Sequence, residues 1–371
     1  MTNDPRLTPL AASLPATVPF VGPEAQERSL GVPFTARLGA NELGFGPSQQ
    51  AIKAMQDAAN GAWMYADPEN HDLRQALAAH HNIDASHIMI DAGIDTLLGS
   101  LVRLTITQGC AVVTSAGAYP TFNYHVTGFG GTLHTVPYTG DHEDPERLIA
   151  KAVETGAKLI YIANPDNPMG TYHRADVIER MVQAVPEGAL LILDEAYIEC
   201  APLDAVPNIA ADDPRVIRMR TFSKAYGLAG ARVGYAIGHP VLIDAFNRVR
   251  NHFGMNRISQ AGALAALADR DHLRHTLAQI SASRDRIAAI ASDNDMTALP
   301  SATNFVCVDT GRDGDYAKEL VGALAAEGIF VRMPFVAPQN RCIRVSCGPK
   351  TDMDALAAAL PRALGRLATA G

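Results

Sequence analysis

The chain has 371 residues, 47% of them hydrophobic and 19% charged, which fits two domains with a sizeable core and excludes a disordered chain. The formal net charge is −8 and no lysine/arginine run breaks it, so nucleic acid, which needs clustered positive charge, is excluded as a partner. No apolar stretch reaches the roughly 20 residues of a membrane span, and the proline-scattered start reads as neither signal peptide nor span, so no membrane partner is expected.

In chain order, residues 1–45 are rich in proline and glycine and read as an extended arm that joins a C-terminal small domain. Residues 46–262 form the expected large domain. Within it, DAGIDTLLGSLVRL places Gly93 at a close turn and starts a helix at Ile94, Asp95 and Thr96, with Leu97, Leu98, Leu101 and Val102 on its apolar face. CAVVTSAGAYP holds a short strand ending near Ser115. KLIYIANPDNPMG holds one from Lys158 to about Ala163, ALLILDEAY one from Ala189 to Leu193, and RVIRMRTFSK one ending near Arg220. The second and third are continuously apolar, as strands covered on both faces of a parallel sheet are. Ile178, Met181, Val182 and Val185 recur at helical spacing between them, so strand, helix and strand build right-handed crossovers and an α/β fold with a mostly parallel sheet. Residues 263–371 begin with a long alanine-rich helical region ending near Asn294. TNFVCVDT, GIFVRMP and RCIRVSCG then read as strands, with helices between and after them, which makes a smaller α+β domain.

In open α/β sheets, ligands bind outside the carboxyl ends of the strands. After the strand ending at Ala163 stands Asn167. After Leu193 come Asp194 and Tyr197. After the strand ending near Arg220 come Ser223 and Lys224 in TFSKAYGLAGARVGY. A lysine there can attack an aldehyde if partly unprotonated, an aspartate can pair with a protonated pyridine nitrogen, and a tyrosine can hydrogen-bond a phenolic oxygen. This inventory describes pyridoxal phosphate. Free N–H groups at the helix start after Gly93, with Ser223 and the fork of Arg232, suit its phosphate. Gly227, Gly230 and Gly234 read as structural. The five cysteines form no CxxC pair and suggest reduced, mostly buried thiols in a cytoplasmic protein. The twelve histidines show no metal-ligand spacing, so no metal is expected.

YADPENHDLR, NPDNPMG, DEAYIE, TFSKAYGLAGARVGY and IRVSCG, taken with their spacing, resemble the fold-type I pyridoxal-phosphate aminotransferases, and within them the histidinol-phosphate aminotransferase family. The resemblance implies a large domain with a mostly parallel sheet, a smaller α+β domain, and a homodimer with shared active sites. Lys224 would hold the cofactor and shuttle the proton. Asp194 would keep the ring nitrogen protonated, and Asn167 and Tyr197 would bind the phenolic oxygen. Phe122 would stack on the ring, and Ile94, Asp95, Ser223 and Arg232 would hold the phosphate. Tyr65 would reach the phosphate in the neighbouring subunit. Arg344 would fork onto the substrate carboxylate, Arg332 would be a second anionic anchor, and Asn41 would join the substrate residues. The implied reaction moves an amino group between an amino acid, or an amino alcohol phosphate, and a 2-oxo acid; histidinol phosphate and 2-oxoglutarate are the leading pair. Met169 stands where the family usually has threonine. Phe20 and Phe253 stand where it usually has tyrosines, which removes two donors to an imidazole phosphate and would make that part of the pocket apolar. Two alternatives therefore stay open: a transaminase of another amino acid, aromatic for instance, and a decarboxylase similar to threonine-phosphate decarboxylase.

Overall fold

Continuously buried strands build the central sheet in this computed structural model, which describes residues 6–16 and 21–370. The strands are β1 (Ala36–Arg37), β2 (Ile88–Asp91), β3 (Ala111–Ser115), β4 (Thr132–Val136), β5 (Leu159–Ala163) and β6 (Leu190–Asp194). They continue with β7 (Val216–Thr221), β8 (Gly234–Ile237), β9 (Thr297–Ala298), β10 (Phe305–Asp309), β11 (Ile329–Phe330) and β12 (Cys342–Ser346). Seven of them form one sheet in the order β2-β8-β7-β6-β5-β3-β4. The β3–β4, β3–β5, β5–β6 and β6–β7 pairs are parallel, while β8 runs antiparallel to β2 and β7. Along β5 and β6, Tyr161, Ala163 and Ile192 pack into one apolar cluster, and Ile160, Ile162, Leu191 and Leu193 into another on the opposite face. That two-sided burial explains why these runs lack polar residues until the strand ends.

The smaller unit has a three-stranded antiparallel sheet, β12-β10-β9, packed against the helices Gly314–Ala326 and Lys350–Ala370. The arm joins it through β1, which pairs in parallel with β11 in the register Ala36↔Ile329 and Arg37↔Phe330.

One expectation needs correction. The arm is not simply extended, because it carries helices at Pro9–Ser13 and Pro23–Leu30. Proline at the start of the second helix supplies a preset φ, and Gly31 ends it at φ 75° with its N–H on the Glu27 carbonyl. Glu27 then ties the helix to β1 through an ion pair with Arg37 at 2.6 Å. The boundary drawn after residue 262 falls inside a continuous helix, Arg257–Ala268, whose Ala263, Ala266 and Leu267 pack with the core around β2 and β8. Asp269 follows it directly. It ends that helix and caps the next, Arg270–Ser292, by accepting the His272 N–H at 3.1 Å.

Candidate active site

The parallel register of β5, β6 and β7 brings their carboxyl ends to one edge, with Ala163 opposite Asp194 and Asp194 opposite Met219. The expected polar residues follow directly after these ends and meet there. They line a cavity of about 390 Å³ together with residues of the arm and of the small sheet. Asn41, Ile94, Asp95, Asn167, Asp194, Tyr197, Ser223, Lys224, Arg232, Arg332 and Arg344 all stand on its wall.

Lys224 is half-buried, and its Nζ donates to the Asn41 carbonyl at 3.1 Å and lies 5.4 Å from the centre of the Tyr197 ring. Burial, and then the guanidinium charges of Arg344 and Arg232, lower its pKa to about 8. About a tenth of the amine is then neutral at pH 7, against roughly one part in a few thousand for an ordinary lysine. Asp194 is 5% exposed; Oδ2 accepts from the Tyr161 hydroxyl at 2.6 Å and Oδ1 from the Ala196 N–H at 2.9 Å. Burial raises its pKa to about 6 against the pull of those donors.

The Tyr197 hydroxyl is approached by two amides, Asn41 Nδ2 at 3.0 Å and Asn167 Nδ2 at 3.4 Å, and burial pushes its pKa above the usual tyrosine range. Asn167 is itself fixed by Arg344, whose Nη1 donates to Oδ1 at 2.6 Å. Arg344 also stands on the cavity wall, and its Nε is buried with no hydrogen-bond partner among the described residues.

At the far end of the cavity, Gly93 sits at φ 91° and opens the helix Ile94–Thr105. A Cβ at this position would lie 2.5 Å from Arg232 Nη2, so glycine leaves the room that the guanidinium fills. Arg232, at φ 54°, donates to the Ala229 carbonyl at 3.1 Å and to Ser223 Oγ at 3.5 Å, and its Nη2 lies 3.8 Å from Asp95 Oδ2. Gly234 allows β8 to press against this turn, since a Cβ there would meet Ile94 N at 2.7 Å.

Phe122 does not stand on the cavity wall. It is fully buried in the apolar core and stacks on Tyr161 at 4.9 Å and 15°. The first turn of the helix Thr121–Gly128 aims it inward, and Tyr119, just before that helix, lines the cavity instead. Tyr65 is also outside the cavity wall. It is 79% exposed, packs on Phe253 at 4.8 Å, and neighbours Trp63, which is 83% exposed. Phe20 lies outside the described residues, and Phe253 does not line the cavity.

Sequence reasoning missed Tyr119 and Tyr161. It also missed Glu195, a fully buried carboxylate ion-paired with Arg218 at 2.9 Å and Arg220 at 2.7 Å, which cross-links β7 to the end of β6. The alternation of β7, which carries two arginines beside an acidic pair after β6, is the signal that could have found that clamp. Among the described residues no group of acidic, histidine and cysteine side chains could hold a metal ion, and no helix is long and apolar enough to cross a membrane.

Class I and II aminotransferases as a family match residues 35–360. A histidinol-phosphate aminotransferase of Anaeromyxobacter sp. is 33% identical over 365 residues, covering 97% of this chain and 100% of its own. An aromatic amino acid aminotransferase of Corynebacterium diphtheriae is 36% identical over 329 residues, 87% of this chain and 92% of its own. Among solved structures, histidinol-phosphate aminotransferase from Sinorhizobium meliloti in complex with pyridoxal 5′-phosphate superposes with a TM-score of 0.96 at 54% identity, covering 99% of both chains. With the family matched over most of the chain and the lysine, carboxylate and amide gathered in one cavity, the chain belongs to the class I and II aminotransferases, a family of pyridoxal-phosphate enzymes.

Proposed function

We propose that this aminotransferase exchanges an amino group between histidinol phosphate and 2-oxoglutarate, and that it does so as a homodimer in the cytoplasm. The observation that carries the substrate reading is a pair of guanidiniums on one wall. Arg332 and Arg344 are joined through their backbones, the Arg344 N–H donating to the Arg332 carbonyl at 2.6 Å, and both side chains line the cavity. Two such groups suit a substrate with a phosphate, or an acceptor with two carboxylates. The names of the Anaeromyxobacter and Sinorhizobium relatives favour the same substrate.

The residues present fit the cofactor. An aldehyde needs a partly neutral amine, a pyridine nitrogen an anion, a phenolic oxygen neutral donors, and a phosphate a cation beside free N–H groups. Lys224, Asp194, the Asn167–Tyr197 pair, and the Gly93 turn with Ser223 and Arg232 would supply them in that order. When bound, pyridoxal phosphate supplies an electron sink that makes the substrate Cα–H acidic. Lys224 Nζ would hold the cofactor and then carry the proton to and from that carbon, and its depressed pKa lets it act as a base near neutrality. The Asn41 carbonyl orients Nζ. Asp194 would hold the proton on the ring nitrogen, and Arg344, on the cavity wall, would orient the substrate anion.

The test compares kcat/KM for histidinol phosphate, phenylalanine and leucine in the wild type and Arg332→Gln. Losing a charge-assisted hydrogen bond costs about 1.5–3 kcal/mol, so KM for histidinol phosphate should rise roughly 10- to 100-fold while phenylalanine is little affected. A wild type that prefers phenylalanine, with a ranking the variant does not change, would replace this reading with that of an aromatic transaminase.

For the dimer, the supporting feature is the exposed apolar group of Trp63, Met64, Tyr65 and Phe253. Tyr65→Phe, if severely impaired alone, should regain activity when mixed with Lys224→Ala, because one site of the mixed dimer keeps both native groups. Verified subunit exchange without recovery would assign Tyr65 to its own chain's site. For the cytoplasm, the support is five free thiols, four of them buried.

A further inference from the structure

Asp194 is held by more than its place at the end of β6. The register of β5 against β6 pairs Ala163 with Asp194 and Tyr161 with Ile192, so Tyr161 lies two residues back from Asp194's neighbour, on the same face of the sheet. From there its hydroxyl reaches Asp194 Oδ2 at 2.6 Å, short enough for a charge-assisted bond. The other oxygen, Oδ1, is held by the Ala196 N–H at 2.9 Å, and two donors on two oxygens fix the plane of the carboxylate.

The Tyr161 ring is fixed in turn. It is fully buried, and Phe122 stacks on it at 4.9 Å with an interplanar angle of 15°. Although the ring belongs to the core, Tyr161 also contributes to the cavity wall. Burial and the adjacent carboxylate raise the phenol's pKa well above the usual tyrosine range, so the hydroxyl keeps its proton and remains a donor near neutral pH.

We propose that Tyr161 is a positioning residue: its hydroxyl, braced by Phe122, orients the Asp194 carboxylate toward the cavity so that it pairs with a protonated ring nitrogen. This rests on reading Asp194 as the partner of the cofactor's ring nitrogen. It also gives Phe122 a role, as the support of the ring that holds Asp194.

The test uses the full-length apoprotein and measures dissociation constants by equilibrium dialysis, without turnover. Two ligands are compared: pyridoxal phosphate and its 1-deaza analogue, in which carbon replaces the ring nitrogen. Wild type should prefer pyridoxal phosphate. In Tyr161→Phe that preference should shrink by about 10-fold or more, the scale of a lost hydrogen bond to a charged group, with binding of the analogue unchanged. Equal weakening of both ligands would show a merely structural residue and overturn the proposal, as would an undiminished preference. A wild type with no preference would overturn the reading of Asp194 itself, and the proposal with it. Phe122→Leu keeps the hydroxyl but loosens the ring, and should reduce the preference by a smaller factor. It carries the test if Tyr161→Phe does not fold, and an unchanged preference in Phe122→Leu would then overturn the proposal.

Discussion

Lys224→Ala is expected to abolish transamination, with kcat falling by at least about four orders of magnitude, the scale for removing a nucleophile or a general acid–base. Among the described residues no other lysine lines the cavity, so no second amine stands on the wall to replace it. The visible absorbance that depends on the lysine-held cofactor should vanish as well. The fold should persist, because the Nζ makes a single hydrogen bond, to the Asn41 carbonyl. Deleting a half-buried amine held off its ordinary pKa by burial also removes an unfavourable desolvation term. A variant that kept both the absorbance and the turnover would remove Lys224 from the chemistry. Loss of turnover accompanied by a collapse of the melting transition would leave only a structural role.

Much of this site is legible in the sequence, for a specific reason. Asp194 directly follows an apolar run, Asn167 stands four residues beyond another, and Ser223 and Lys224 come just after the end of β7, so the strand ends themselves point to them. Chain order then brings them to one edge. Register is less visible. Tyr161 stands inside an apolar run and reads as core, and only the pairing of Ala163 with Asp194 shows that its hydroxyl reaches the carboxylate. In AYPTFNY three aromatic residues compete for the cavity. The helix beginning at Thr121 decides among them by turning Phe122 into the core, leaving Tyr124 half-exposed, and placing Tyr119 on the wall. The helix Pro23–Leu30 is hidden for a different reason, because the proline and glycine that suggest an irregular arm are its first residue and its C-terminal cap. Tyr65 lies on the outer surface, where a single chain's pattern cannot say what covers it.

Asp194→Asn should lower kcat by about 10²-fold or more, the scale for losing one preorganised electrostatic group, yet leave the apoprotein's melting temperature at pH 7 close to that of the wild type. Two stability effects oppose each other. Burial raises this carboxyl from the ordinary aspartate value of about 4 to about 6. In this interval the folded state binds more protons than the unfolded state. Stability from this group is therefore present at low pH and lost as pH rises through 6, a loss of about 3 kcal/mol at neutrality. The amide removes that loss. It also places an NH₂ against either the Tyr161 hydroxyl or the Ala196 N–H, both of which donate to the carboxylate, and the mismatch costs about 1–3 kcal/mol. The two effects nearly cancel at pH 7 but not at pH 5, midway between the unfolded and folded values, where about half of the wild-type loss is gone and the mismatch weighs more. The Asp194-dependent part of the pH profile should accordingly disappear in the variant. This is checked by melting both apoproteins at pH 5 and pH 7 and subtracting. Near-normal turnover, or an identical pH dependence in the two proteins, would contradict the assignment of a buried, titrating carboxylate at the floor of this site.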